Sequence, residues 1–286
     1  MRVLCLSGGG VKGAYQVGVL KKWLVEDGIE YDAFCGSSVG SLNSSILAQF
    51  PTGKTLESWI SLKTMWDGLS SNKVYSNWTF FGVLASLWKS SVYNSQALQN
   101  LITSNVDASK IKSSGKKLRT VAVSMSTGST HVSDESDPDL VKRVMASSAF
   151  PVLFSPIELQ GEQWSDGGLR NQTPLGEAIR MGADEVDIIM CSNPDLFTDF
   201  DTKSSAIPGR VLRSLEILTT QLEIDDLKIC GYLNDLSELR PEFKKIKIRV
   251  VQPTEVLTSD TFAFDQSIIQ TLIAKGYRDA CNQSTG

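Results

Sequence analysis

Gly36-Ser37-Ser38-Val39-Gly40 sets one serine, Ser38, two residues from a glycine on either side. Between a strand and a helix this is the pattern of a nucleophile elbow. A strained backbone pushes the serine hydroxyl into a cleft, and small neighbours let strand and helix close up. Ser38 holds the central place and Ser37 does not. The spacing alone also marks ordinary turns. Here it follows the apolar run 33–36 and precedes Val39, Leu42, Ile46 and Phe50 at helical spacing, which favours the elbow. A nucleophilic serine needs a base, most often histidine. The chain has one, His131, in a stretch that reads as a hairpin strand, where a lone histidine is more often packed or exposed than catalytic. Asp166, ahead of Gly167 and Gly168, is a second candidate, because its turn can carry a carboxylate towards another loop. The same residues also fit an Asx-turn, in which the aspartate only caps its own turn.

A third feature lies near the N-terminus. Gly8, Gly10 and Gly13 satisfy G-x-G-x-x-G after an apolar run and before a helical pattern, and Asp32 follows Gly13 at the distance of a ribose-binding acid. That dinucleotide reading places Asp32 before the second strand, at the end remote from the glycines. No G-K-[ST] follows, so a P-loop is excluded. The alternative is an oxyanion site. Backbone N–H groups of Gly8, Gly9 and Gly10 stand at a helix N-terminus, where glycine exposes them and the helix dipole favours negative charge. Lys12 either adds positive charge there or is simply solvated.

These residues need a frame. Residues 3–6 read as a strand buried on both faces, 14–24 as a helix with Ala14, Val17, Leu20 and Leu24 on one side, 33–36 as a second strand and 39–50 as a second helix. Strand, helix, strand, helix with short joints predicts an α/β fold with a mainly parallel sheet and helices on both faces. Both loops then leave the same sheet edge, so the glycines can face the carbonyl that Ser38 attacks. Further on, 140–150 reads as a helix, 157–168 as a hairpin ending at Asp166, 185–191 as a buried strand, 208–239 as a long helix, and 245–251 and 264–280 as a strand and closing helix. Within a helical segment at about 55–105, Trp78, Phe80, Phe81, Trp88 and Tyr93 fit either core packing or an apolar cap over a lipid-sized pocket. No repeat or linker interrupts the chain, which reads as one domain over 1–286.

Composition narrows the function. A net charge of −4 over 286 residues gives no reason to expect nucleic-acid binding. The local exception, Lys110, Lys112, Lys116, Lys117 and Arg119, reads as a solvated loop, with transient contact to an anionic membrane surface as the alternative. The five cysteines are scattered and mostly within apolar runs, as core residues are, and without C-x-x-C spacing zinc is not indicated. No apolar run approaches the ~20 residues of a membrane span. A cytoplasmic location, at most peripheral to a membrane, is the expectation.

Three blocks in order, "SGGGVKGAYQVGVL", "GSSVGSLN" and "DGGLRNQTPLGEAIRMGAD", resemble the patatin-like phospholipases, and "ASSAFPVLFSPI" adds to the likeness. The resemblance runs from about residue 3 to 191, with a weaker continuation at "LIAKGYRDA". It implies a three-layer α/β/α fold and a Ser–Asp dyad without histidine: Ser38 as nucleophile, Asp166 as base, Gly8 to Gly10 as oxyanion loop with Lys12 at its basic position, and no metal or organic cofactor. The implied reaction is phospholipase A-type ester hydrolysis that releases a fatty acid. General carboxylesterase or lysophospholipase activity, a non-catalytic lipid-binding module and a dinucleotide oxidoreductase are the alternatives. Val39 departs from the alanine common in this family and narrows the space beside Ser38.

Overall fold

The computed structural model describes residues 1–75, 93–196, 207–240 and 244–283. At its centre β1 (Arg2–Leu6) lies parallel to β2 (Ala33–Ser37) on one side and β7 (Glu185–Ile189) on the other. Alternate residues of β1 enter different cores. Leu4 and Leu6 join one with Tyr15, Trp23 and Ile46, while Val3 and Cys5 join another with Cys35, Leu175 and Cys230. Helices cover both faces, which is why the strand sequence is continuously apolar. One layer holds α1 (Gly13–Leu20), α2 (Val39–Leu47) and α10 (Gln266–Gln283); the other holds α8 (Leu175–Arg180) and α9 (Ile207–Leu239).

β3 (Lys117–Ser124) extends the sheet in parallel beyond β2, and β8 (Lys247–Val251) does so beyond β7. The remaining pairings are antiparallel: β4 (Thr130–Asp134) and β6 (Glu162–Asp166) to β3, and β5 (Ile157–Leu159) to β6. The described sheet thus has eight strands and is mostly parallel, as expected. Outside it lie α3 (Thr55–Asp67), α4 (Ser71–Val74), α5 (Gln96–Asn105), α6 (Ala108–Ser114) and α7 (Leu140–Ser147).

Two local expectations fail for physical reasons. Helix α1 is buried on every side rather than along one stripe, because α10 crosses its outer face. The crossing is too close for side chains: a Cβ on Gly18 would lie 1.9 Å from the Ile273 carbonyl, and one on Gly276 would lie 2.0 Å from that of Tyr15. The basic stretch is not a loop either. It forms α6, a left-handed turn at Gly115 and the start of β3. Lys116 is buried there, donating to the Tyr31 carbonyl at 2.7 Å and to Thr52 Oγ1 at 2.9 Å. Trp78, Phe80, Phe81 and Trp88 lie outside the described residues. Tyr93 stacks on Tyr75 with ring centroids 4.3 Å apart. Among the described residues, no helix is long and apolar enough to cross a membrane.

Candidate active site

β2 ends at Ser37, and Ser38 opens α2 with φ 54° and ψ −128°, a conformation that costs a non-glycine residue energy and is kept only where its surroundings impose it. Its N–H donates to Ser147 Oγ at 3.1 Å, and its carbonyl accepts the Ser41 N–H at 2.9 Å. The flanking glycines are required by contact. A Cβ at Gly36 would lie 2.2 Å from the Gly40 carbonyl, and one at Gly40 would lie 2.2 Å from that of Leu6. The elbow therefore exists because α2 presses directly onto β1 and β2.

Register brings Asp166 to this turn. Ser37 pairs with Val121, the last residue of β3 that β2 reaches. The next residue, Ala122, pairs with Asp166 of β6. Across the same part of β3, β4 occupies the other edge, so β2 and β6 share one edge end to end. Asp166 thus arrives where β2 gives way to Ser38. His131 pairs with Ala122 from the opposite edge, facing Asp137 Oδ2 at 3.6 Å and the Trp164 ring, with β3 between it and the elbow.

The Asp166 carboxyl is 1% exposed. Oδ1 accepts the Gly168 N–H at 2.8 Å, whereas Oδ2 has no hydrogen-bond partner among the described residues. The Ser38 side chain stands beside it, near enough to favour the ionised form but without a fully aligned hydrogen bond. Burial outweighs that help and the Gly168 N–H, and pushes the carboxyl up to about 7. A Cβ on Gly167 would meet the Val121 carbonyl at 2.2 Å, so this glycine has no room for a side chain, whereas at Gly168 the nearest atom, 2.2 Å away, is the mobile Gln172 Oε1.

The glycine loop lies against the same point. A Cβ on Gly8 would come within 3.0 Å of Ser38 Cβ. The Gly8 N–H donates to the Gln172 carbonyl at 3.1 Å, Val11 N–H to Thr261 at 2.8 Å and Lys12 N–H to Gly9 at 3.0 Å. The N–H groups of Gly9 (φ 151°) and Gly10 (φ 55°) bond nothing among the described residues. Lys12 is mostly buried and ion-paired with Glu216 of α9 at 3.1 Å, so it is not a solvated lysine. Asp32, the supposed ribose acid, accepts the Arg2 N–H at 2.7 Å at the far edge of the sheet.

Ser38, the glycine loop and Lys12 line a cavity of about 310 Å³. Its walls are largely apolar, with Val39, Leu42, Trp66, Phe150, Phe154 and Phe262 among them. Val39 also closes on Gly13, where a Cβ would lie 2.5 Å from its Cγ2. A strained serine, a buried carboxyl titrating near neutrality and two unbonded amides beside an apolar cavity suit nucleophilic attack on an ester of an apolar acid. Ser147, Gln172 and Glu216 support the site but carry no spacing signal; each is known only by what it touches. No group of three or more His, Cys, Asp or Glu among the described residues could hold a metal ion.

No curated protein matches this sequence. Among solved structures, VipD from Legionella pneumophila is similar at 14% identity and a TM-score of 0.45; the match covers 99% of this chain and 66% of that one, so this chain spans just under two thirds of its length. The patatin-like phospholipase profile matches residues 4–179, from β1 through the Asp166 loop into α8. With more than half its length in that match, the chain belongs to the patatin-like phospholipase family.

Proposed function

We propose that the chain hydrolyses lipid esters with Ser38 as nucleophile and Asp166 as its base. The observation that carries this reading is the register across β3, which brings the buried Asp166 to the end of β2, where the strained Ser38 follows. Ser38 Oγ attacks the ester carbonyl while its proton passes to Asp166. The carbonyl oxygen becomes an oxyanion that receives the free N–H groups of Gly9 and Gly10. Gly8, whose amide is already bonded, contributes closeness to Ser38, and Lys12 contributes charge at the rim of the loop. Asp166 then protonates the departing alcohol, leaving an acyl-enzyme. Water attacks that ester, gives its proton to Asp166, and frees the fatty acid as the proton returns to Ser38 Oγ. No metal or organic cofactor enters these steps.

A carboxylate is a weak base for a serine hydroxyl, and burial supplies the remedy by raising its pKa towards the working pH. The apolar cavity favours a fatty acyl chain over a polar acid. Trp66, Leu69, Val74, Leu98 and Leu101 contribute to its wall, which supports the described parts of the 55–105 segment, 55–75 and 93–105, as a cap. Intact-mass measurement after fluorophosphonate treatment, with peptide mapping, tests the assignment. The expected adduct is on Ser38, is absent in Ser38→Ala and persists in Ser37→Ala. An adduct on Ser37 overturns it.

A further inference from the structure

Beyond the profile match, α9 sends one carboxyl into the interior. Glu223 is 1% exposed and has no place in the reaction above. Its Oε1 accepts the Thr173 hydroxyl at 3.0 Å and its Oε2 accepts the Ser192 hydroxyl. The Ser7 hydroxyl, which donates to the Gly8 carbonyl at 3.1 Å, also favours the ionised form of Glu223. These three hydroxyls belong to three different loops at the sheet edge that holds Ser38. Ser7 follows β1 and opens the glycine loop, Thr173 closes the Asp166 loop, and Ser192 follows β7.

The other two loops both touch the glycine loop. Gln172, next to Thr173, accepts the Gly8 N–H at 3.1 Å. Cys191, next to Ser192, donates its N–H to Ser7 Oγ at 2.8 Å and packs against Gly9, where a Cβ would lie 2.6 Å from Cys191 Cβ. An ionised carboxylate only accepts hydrogen bonds, through two oxygens, so a single group can hold several hydroxyls at once. Burial pushes Glu223 up to about 7, although the hydroxyls and the Lys12 charge hold it down. A buried charge of this kind persists only where several donors satisfy it.

We propose that Glu223 is a positioning residue that ties the Asp166 loop to the loop after β7, both of which hold the glycine loop, and so sets where the Gly9 and Gly10 amides point. This inference rests on the reaction proposed above. Misplacing transition-state donors by about an ångström costs on the order of 10²-fold in rate without weakening substrate binding to match.

The test combines ester hydrolysis with the rate of fluorophosphonate labelling at Ser38, whose tetrahedral adduct uses the same donors. Glu223→Ala should lower kcat and the labelling rate by about 10²-fold, with KM changed little. Glu223→Gln keeps one acceptor and offers an amide to a hydroxyl that can turn, so it should recover most of both rates. Thr173→Val, nearly equal in size, should lose about tenfold and add nothing to Glu223→Ala in the double variant, as expected of partners in one contact. Should Glu223→Ala fail to fold, Thr173→Val and Ser192→Ala carry the same test. Wild-type kcat and labelling in these variants, with only the melting temperature lowered, would overturn the positioning role. Wild-type protein that is not labelled at Ser38 would refute the reaction, and the catalytic meaning of Glu223 with it.

Discussion

Asp166→Asn removes one ionisable proton from the interior while keeping the size of the side chain and an acceptor for the Gly168 N–H. In the folded chain burial raises this carboxyl from an ordinary 3.8 to about 7. The folded state therefore binds the proton more tightly than the unfolded chain. The resulting stability is fully present below about pH 4 and is lost as pH rises through about 7. At about 1.4 kcal/mol per pH unit, the whole effect is on the order of 4 kcal/mol, and about 3 kcal/mol of it falls between roughly pH 5 and pH 8. Asparagine has no proton to lose. The variant should thus gain on the wild type as pH rises, and at about 2 °C per kcal/mol the gap in melting temperature should widen by about 6 °C. Paired thermal melts across this range measure it. Because Glu223 titrates alike in both proteins, its contribution cancels in the difference. The same variant should lose about 10²–10⁴-fold in turnover. Wild-type kcat/KM should rise with pH through about 7 as the base ionises. A stability gap that stays flat, or a kcat/KM already at its plateau near pH 5, would show that Asp166 titrates as an ordinary carboxylate, and the case for it as base would fall.

His131→Ala should keep turnover within about twofold, since β3 separates His131 from the elbow and its partly exposed contact with Asp137 is worth at most about 1 kcal/mol. A folded but inactive variant would call for a histidine mechanism. Gly40→Ala should destabilise the fold by about 1–3 kcal/mol or more in urea unfolding, because its methyl group would lie 2.2 Å from the Leu6 carbonyl. Wild-type stability there would mean that α2 can lift from β1 at little cost.

The features legible in the sequence are those whose cause is local. Gly36 and Gly40 frame Ser38 because a tight strand-to-helix turn excludes side chains within a few residues. The apolar runs of β1 and β2 announce a sheet covered on both faces. The ordered blocks around Ser38, Asp166 and the Gly8–Gly10 loop identify the family on the same grounds. Pairing partners are not local, and they decide the rest. Only the tertiary structure places β6 antiparallel on the edge of β3 that β2 vacates, which sets Asp166 at Ser38 and His131 beyond β3. Only there is the Gly8 amide found bonded to Gln172 while those of Gly9 and Gly10 bond nothing among the described residues. Lys12 meets Glu216 across 204 residues of chain, and Thr173 meets Glu223 across 50. No periodicity records such meetings, because a buried charge takes its role from the groups that surround it in space.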